Sequence, residues 1–115
     1  MATEVIFSAT ADIEIASGGS VTMPEGNWKV IGATGFLTAA AGAGAAAKVT
    51  KNGADLCGSF VKGDGSPVAN LDPGGTFLTW EGVEALSQVR LVAGDVIAVP
   101  TTNCPGIFHI TIKRV

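Results

Sequence analysis

The sequence contains no tyrosine, one histidine and only two cysteines in 115 residues. Cys57 and Cys104 are too few to build a disulfide framework, so we expect buried or free thiols, with a single bridge between them as the alternative. His109 could hold a metal only with cysteine or carboxylate ligands, and these do not cluster in the sequence. Because no nucleophile-elbow motif accompanies the histidine, we expect neither an enzyme nor a cofactor.

Charged residues are also scarce, at 15% of the chain, and ten acids against seven bases give a net charge of -3. The bases are scattered without a run or stripe, which argues against nucleic acid binding through phosphate neutralisation. Hydrophobic residues make up 47% of the chain. So few charges leave little material to cover the surface of a monomer, and this indicates a homo-oligomer.

No stretch approaches the roughly 20 apolar residues that a transmembrane helix needs, and the first residues lack the basic region of a secretory signal. We therefore expect a soluble protein made in a cytoplasm, without a membrane partner. The length fits one domain. We predict a β-sandwich over residues 9–115, preceded by an N-terminal arm or edge strand over residues 1–8.

What the sequence does contain is a series of short strand patterns separated by turn signals. Between Ala11 and Ala16, Ile13 and Ile15 alternate with acidic residues, as in a half-buried strand. Asn52-Gly53 is the strongest hairpin signal, because a type I′ turn needs positive φ at both central residues. We predict one return strand after it, from Asp55 to Lys62.

Other segments carry glycine and alanine in informative places. Trp28 to Thr38 is predicted as one long strand, in which Gly32 and Gly35 indicate a bulge or a close backbone approach. Ala39 to Ala47 is predicted as a loop, or as tight packing of small-residue strands. Val83 to Leu86 is too short to assign. In all we predict eight or nine strands and no amphipathic helix, which is an all-β antiparallel sandwich.

The last third of the chain has two apolar runs that meet at Gly94-Asp95. Val89, Leu91, Ile97 and Val99 fall on core positions if the turn keeps the phase. Three further apolar residues lie on the other face of these strands: Val92, Val96 and Ala98. A strand that is apolar on both faces is covered on both, so we predict that a loop or another subunit covers them.

The closing strand alternates more simply. Phe108, Ile110 and Ile112 are predicted to face the core, and the residues between them, which include His109, to face water or a polar contact.

Two motifs resemble a known family. Val21 to Val30 reads as a strand, a Pro-x-Gly turn and an aromatic strand, and Val89 to Val99 follows the pattern Val-x-Leu-x-Ala-Gly-Asp-x-Ile-x-Val. Together they resemble jelly-roll domains of the tumour-necrosis-factor and complement-globular-head type, which recur in bacteriophage capsid decoration (cement) proteins and fibre heads. The resemblance implies an antiparallel jelly roll that commonly forms a trimer. The chain departs from the pattern in lacking tyrosine.

These observations lead to two hypotheses on function. The first is a virion structural protein, a trimeric decoration protein on the capsid exterior whose partner is the major capsid protein. The alternative is a receptor- or glycan-binding jelly-roll head of a phage fibre, with the loop from Gly63 to Gly75 as one contact. The interface candidates are Val92, Val96, Ala98, Trp28 and Trp80, although each tryptophan is also typical of a core. Asp64 and Asp72 could offer oxygen ligands to calcium, but their spacing favours solvated turn residues.

Overall fold

The computed structural model describes residues 10–56, 58–81 and 88–115. These ranges contain only strands, turns and loops, which confirms the all-β prediction. None of them forms a helix that is long and apolar enough to cross a membrane. The strands are β1 Thr10–Ala16, β2 Ser20–Thr22, β3 Asn27–Leu37, β4 Ala46–Ala47, β5 Thr50–Lys51, β6 Ala54–Asp55, β7 Ser59–Lys62, β8 Phe77–Glu81, β9 Arg90–Val92, β10 Val96–Ala98, β11 Thr101–Thr102 and β12 Gly106–Arg114.

The described residues thus form twelve strands, and the prediction of eight or nine was too low. The extra strands are two-residue ladders that periodicity cannot reveal. One of them is β4, at the end of the segment from Ala39 to Ala47, which is otherwise the predicted loop. The predicted arm over residues 1–8 and the segment from Val83 to Leu86 lie outside the described residues.

The strands form two main sheets that pack face to face. The large sheet has the order β1-β12-β3-β8-β7, with β9 beside β8 along the same edge of β3, and the small sheet has the order β2-β10-β5-β6. A third ladder joins β11 to β4. All pairings among the described residues are antiparallel, and β1 pairs with β12. This arrangement is an antiparallel β-sandwich, as predicted.

The core lies between the two sheets and is built by alternation along the strands. Along β12, Phe108, Ile110 and Ile112 are buried and the residues between them are partly exposed, as predicted. Three aromatic rings form a cluster within the core. The ring of Phe60 lies edge-on to Trp80 at a centroid distance of 5.1 Å and at 4.7 Å from the ring of Phe108.

Both glycines of β3 occupy positions of the predicted kind, a bulge or a close backbone approach. Thr111 pairs with Gly32 and Ile112 pairs with Val30, so Ile31 is an extra residue that forms a bulge. Gly35 lies directly opposite Phe108, and a Cβ atom there would be 2.6 Å from the ring. The first glycine therefore marks the bulge and the second the close approach.

The hairpin signal is correct in its turn and wrong in its return strand. Asn52 and Gly53 have φ of 52° and 84°, as a type I′ turn requires. The return strand ends at Asp55, and the next strand begins at Ser59 in the other sheet. Gly58 permits the crossing, because its φ is 106° and a Cβ there would collide with the carbonyl oxygen of Glu81. Periodicity alone does not show a change of sheet.

The Gly94-Asp95 turn also joins the two sheets. Leu91 pairs with Trp28 in the large sheet, whereas Ile97 pairs with Val21 in the small sheet. The predicted phase is confirmed, since Leu91 and Ile97 are both fully buried.

Asp95 ties this turn to the Asn52-Gly53 hairpin. Its carboxylate accepts the Val92 amide at 2.9 Å and the Asn52 side-chain amide at 3.0 Å, and it lies 3.9 Å from the Lys51 ammonium. The Asn52 side-chain oxygen accepts the Val96 amide at 2.8 Å. We call Lys51, Asn52 and Asp95 the Asp95 network. It joins two turns that are far apart in sequence.

The network makes a pH prediction. The hydrogen bond from the Val92 amide, then that from Asn52, holds the pKa of Asp95 below its usual 3.8. A carboxyl whose pKa is lowered by folding stabilises the protein above the unfolded pKa, and this contribution is lost as pH falls through the folded value. We expect the urea midpoint to fall between about pH 5 and about pH 2, and to fall less in Asp95→Asn. An equal fall in both proteins would contradict the prediction.

Candidate interaction surface on the large sheet

The outer face of the large sheet, on the side away from the core, is ordered into rows by the strand registers. Residues directly opposite each other in an antiparallel ladder project to the same side and contact each other. The partners along β1, β12, β3, β8 and β9 therefore give the composition of each row.

One row is apolar. Ala16 is opposite Ile107, Ile107 is opposite Phe36, and Phe36 is opposite Phe77. We call these four residues the apolar row. Phe36 and Phe77 are 40% and 54% exposed, so two adjacent aromatic rings face solvent in the isolated chain. Adjacent aromatic pairs stabilise a sheet, and exposed apolar patches mark interaction sites.

The rows in the middle of this face are polar. His109 lies between Glu14 on β1 and Thr34 on β3. Asp12 is opposite Thr111 and accepts a hydrogen bond from its hydroxyl at 2.7 Å. His109 is thus a partly exposed residue of the outer face, as predicted.

A third row is basic. Lys113 is opposite Lys29, and Lys29 is opposite Arg90. We call these three residues the basic row. It gathers three of the seven bases that look scattered in the sequence. Sequence reasoning missed it because only the pairing of β12, β3 and β9 brings the three positions together.

The predicted interface residues of the last third do not form one surface. Val92 is 49% exposed and lies on the outer face of the large sheet, next to Leu91, which faces the core. Val96 and Ala98 are partly exposed on the outer face of the small sheet, on either side of Ile97. Because the chain changes sheet at Gly94-Asp95, these three residues lie on the outer faces of two different sheets.

Both predicted tryptophans belong to the core. Trp80 is 2% exposed and Trp28 is 8% exposed, and the guanidinium of Arg114 lies 4.9 Å from the centre of the Trp28 ring. Neither ring is open to a sugar. The glycan-binding hypothesis thus has no aromatic platform at these two positions.

The acidic loop residues are engaged within their own loop. Asp64 accepts hydrogen bonds from the hydroxyl and the amide of Ser66, which lower its pKa. Asp72 accepts the Ala69 amide at 2.7 Å, the main cause of its lowered pKa, and forms an ion pair with Lys62 at 3.2 Å. Among residues 10–56, 58–81 and 88–115, no three of His, Cys, Asp and Glu come together as metal ligands.

Cys104 is a free, buried thiol, and burial raises its pKa. Cys57 lies outside the described residues. The interpretation as a buried thiol is therefore confirmed for Cys104.

A shallow groove of about 280 Å³ is lined by Ala46, Lys48, Asp55, Pro100, Thr101 and Thr102. Its two charges pair with each other at 3.6 Å and are largely exposed. The groove therefore offers two hydroxyls but no buried polar group to a ligand.

Fold and surface together define an all-β sandwich whose large sheet has an outer face with an apolar and a basic row. Comparison with protein-family models, with curated proteins and with solved structures gave no match to this chain. The resemblance to jelly rolls of the tumour-necrosis-factor type therefore stays a prediction from sequence.

Proposed function

We propose that this chain is a structural subunit that assembles through the outer face of its large sheet and decorates the exterior of a virus capsid. The observation that carries the assembly is the exposed pair Phe36 and Phe77 in the apolar row. Burying a phenylalanine side chain is worth about 1.5–3 kcal/mol relative to leaving it in water. Two such rings side by side on the outer face favour contact with another protein surface.

Two observations support the capsid part of the proposal: the resemblance of the sequence to decoration proteins and the small number of charged residues. In this proposal the chain forms a homo-oligomer, with a trimer as the expected size, and its partner is the major capsid protein. Attachment of several subunits at once raises the avidity without strong single contacts.

Phe36→Asp is expected to abolish self-association, because it would place a charge in the apolar row. Sedimentation velocity at micromolar concentration would show a monomer for this variant and an oligomer for the unchanged protein. Phe36 is partly exposed, so circular dichroism should show the same β-sheet signal in both.

Val96→Asp is the matched comparison, since it adds the same charge to the outer face of the small sheet. We expect it to leave the oligomer intact. If Val96→Asp separates the subunits and Phe36→Asp does not, the assembly face is the other sheet and our assignment is wrong.

The capsid part of the proposal has its own test. Purified protein mixed with capsid shells that lack it should sediment with the shells and raise the temperature at which they open. A protein that stays in the supernatant at every concentration tested would contradict it.

A further inference from the structure

The basic row is a second feature of the outer face, well separated from the apolar row. Lys113 is six residues from Ile107 along β12, which corresponds to about 20 Å in an extended strand. The two rows therefore lie at opposite ends of the same face and can contact different partners.

Like charges directly opposite each other destabilise a sheet. Lys113 and Lys29 form one such pair, and Lys29 and Arg90 form a second. Arg90 has a further interaction within the chain, so the argument rests on the two lysines. Within the described part of the chain, the ion pairs are formed by Lys48, Lys51 and Lys62. No carboxylate there lies within 4 Å of the ammonium group of Lys29 or Lys113.

The surroundings of the row add apolar surface. Arg114 does not belong to the row, because it is opposite Trp28 and lies over that ring on the other side of the sheet. Of the nearby acids, Asp12 in the adjacent row accepts the Thr111 hydroxyl, Asp95 is held in its own network, and Glu25 is exposed two residues before β3. Val92 is the ladder partner of Asn27, and the Val115 amide donates a hydrogen bond to the Asn27 carbonyl oxygen. Both valines therefore lie beside the row, and both are exposed.

We propose that the basic row, with Val92 and Val115, is a docking site for an acidic segment of a partner protein. Carboxylates of that segment pair with Lys29 and Lys113, and its apolar side chains cover the two valines. This goes beyond the proposed function, because docking at the basic row and self-association at the apolar row are separate events with separate tests.

The same observations disfavour a nucleic acid as the occupant. Asp12 and Glu14 lie on the same face beyond the basic row, so they repel a polyanion that is long enough to extend over them. A phosphate backbone also has nothing apolar to cover Val92 and Val115. A short segment that mixes glutamate with leucine matches both the cations and the valines.

The test is fluorescence anisotropy with a labelled peptide of alternating glutamate and leucine. A polyglutamate peptide and a single-stranded DNA of similar length serve as comparisons. We expect the mixed peptide to bind best, and its affinity to fall between about 0.05 M and about 0.5 M salt. In Lys29→Gln/Lys113→Gln we expect the affinity to fall about tenfold, since each partly exposed ion pair contributes modestly.

The matched control is Lys48→Gln/Lys62→Gln, which changes the net charge equally at distant sites and is expected to bind like the unchanged protein. Circular dichroism checks the fold of both variants. The proposal is overturned if the unchanged protein binds no peptide, if DNA binds more tightly than the mixed peptide, or if both double variants lose affinity equally. Because Phe36→Asp leaves the basic row intact, it should still bind the peptide even if self-association is lost.

Discussion

Trp80→Ala is expected to lower the free energy of unfolding by about 3–5 kcal/mol, the usual loss when a buried tryptophan is removed. Trp80 is 2% exposed and contacts the ring of Phe60, which in turn contacts Phe108. Removal of the indole ring leaves a cavity next to the ring of Phe60. Since a domain of this size is stable by about 5–15 kcal/mol, the variant would lose a large share of its stability. Urea denaturation followed by fluorescence of Trp28 measures the change.

Phe77→Ala is the matched control, because Phe77 lies on the same strand but faces outward and is 54% exposed. Surface substitutions usually change stability by less than about 0.5 kcal/mol, so we expect a small effect. The comparison is made at a concentration where the chain is monomeric. Equal losses in the two variants would contradict the placement of Trp80 in the core.

Trp80→Phe refines this result. No hydrogen-bond partner is found for the buried indole N–H of Trp80 among the described residues. An unsatisfied buried donor costs about 1–3 kcal/mol. Phenylalanine removes that donor and keeps a ring against Phe60, so it should restore most of the stability that alanine loses. Near-ultraviolet circular dichroism would show whether the aromatic packing is retained.

Gly35→Ala is expected to lower the free energy of unfolding by about 2–3 kcal/mol, a typical cost of overpacking a core. The added Cβ would lie 2.6 Å from Cδ1 of Phe108 and 2.9 Å from the carbonyl oxygen of Ile107. The ring of Phe108 is fully buried, and the carbonyl belongs to the β12 backbone, so neither moves easily. Denaturant midpoints of the two proteins check this.

Gly32→Ala is the control on the same strand, since nothing lies within 4 Å of a Cβ at that position. Alanine is favoured over glycine by about 0.5–1 kcal/mol within a strand, so this variant should be as stable as the unchanged protein or slightly more. Phe108→Leu gives a second check. If the clash with the ring causes the loss, Gly35→Ala/Phe108→Leu should lose less than the sum of the two single variants.

Several parts of the fold could be predicted from sequence because their cause is local. Ile13 and Ile15 alternate with Asp12 and Glu14, and this period of two is the period of a pleated strand. Asn52-Gly53 forms the predicted turn because few other residue pairs accept positive φ twice. The alternation of β12 was predicted for the same reason, and it gives the inward set of Phe108, Ile110 and Ile112.

The errors arose where the chain changes sheet. The segment from Asp55 to Lys62 keeps a strand-like composition across the crossing at Gly58, so periodicity joins two strands into one. At Gly94-Asp95 the turn and the apolar phase were predicted correctly, but the sequence does not show that the hydrogen-bond partners change from the large sheet to the small one. Apolar residues predict that a position is buried, but they do not predict which strand pairs with it.

The candidate surface illustrates the same limit. The tryptophans were predicted both as core and as contact residues, and composition cannot decide between these roles. The sequence carries no signal that Phe36 and Phe77 are exposed, because a lone phenylalanine near a strand end is typical of a core. They become a surface feature only because β3 and β8 place them side by side on the outer face.

By itself, the sequence determined the class of the fold, the inward residues of β1 and β12 and the positions of its tightest turns, because alternation and backbone conformation are properties of neighbouring residues. Only the tertiary structure decided which strands share a sheet. That decision brings Lys29, Arg90 and Lys113 into one row, although they are far apart along the chain. The physical reason is that strand register is set by contacts between distant segments, and the outer face of a sheet is a product of that register.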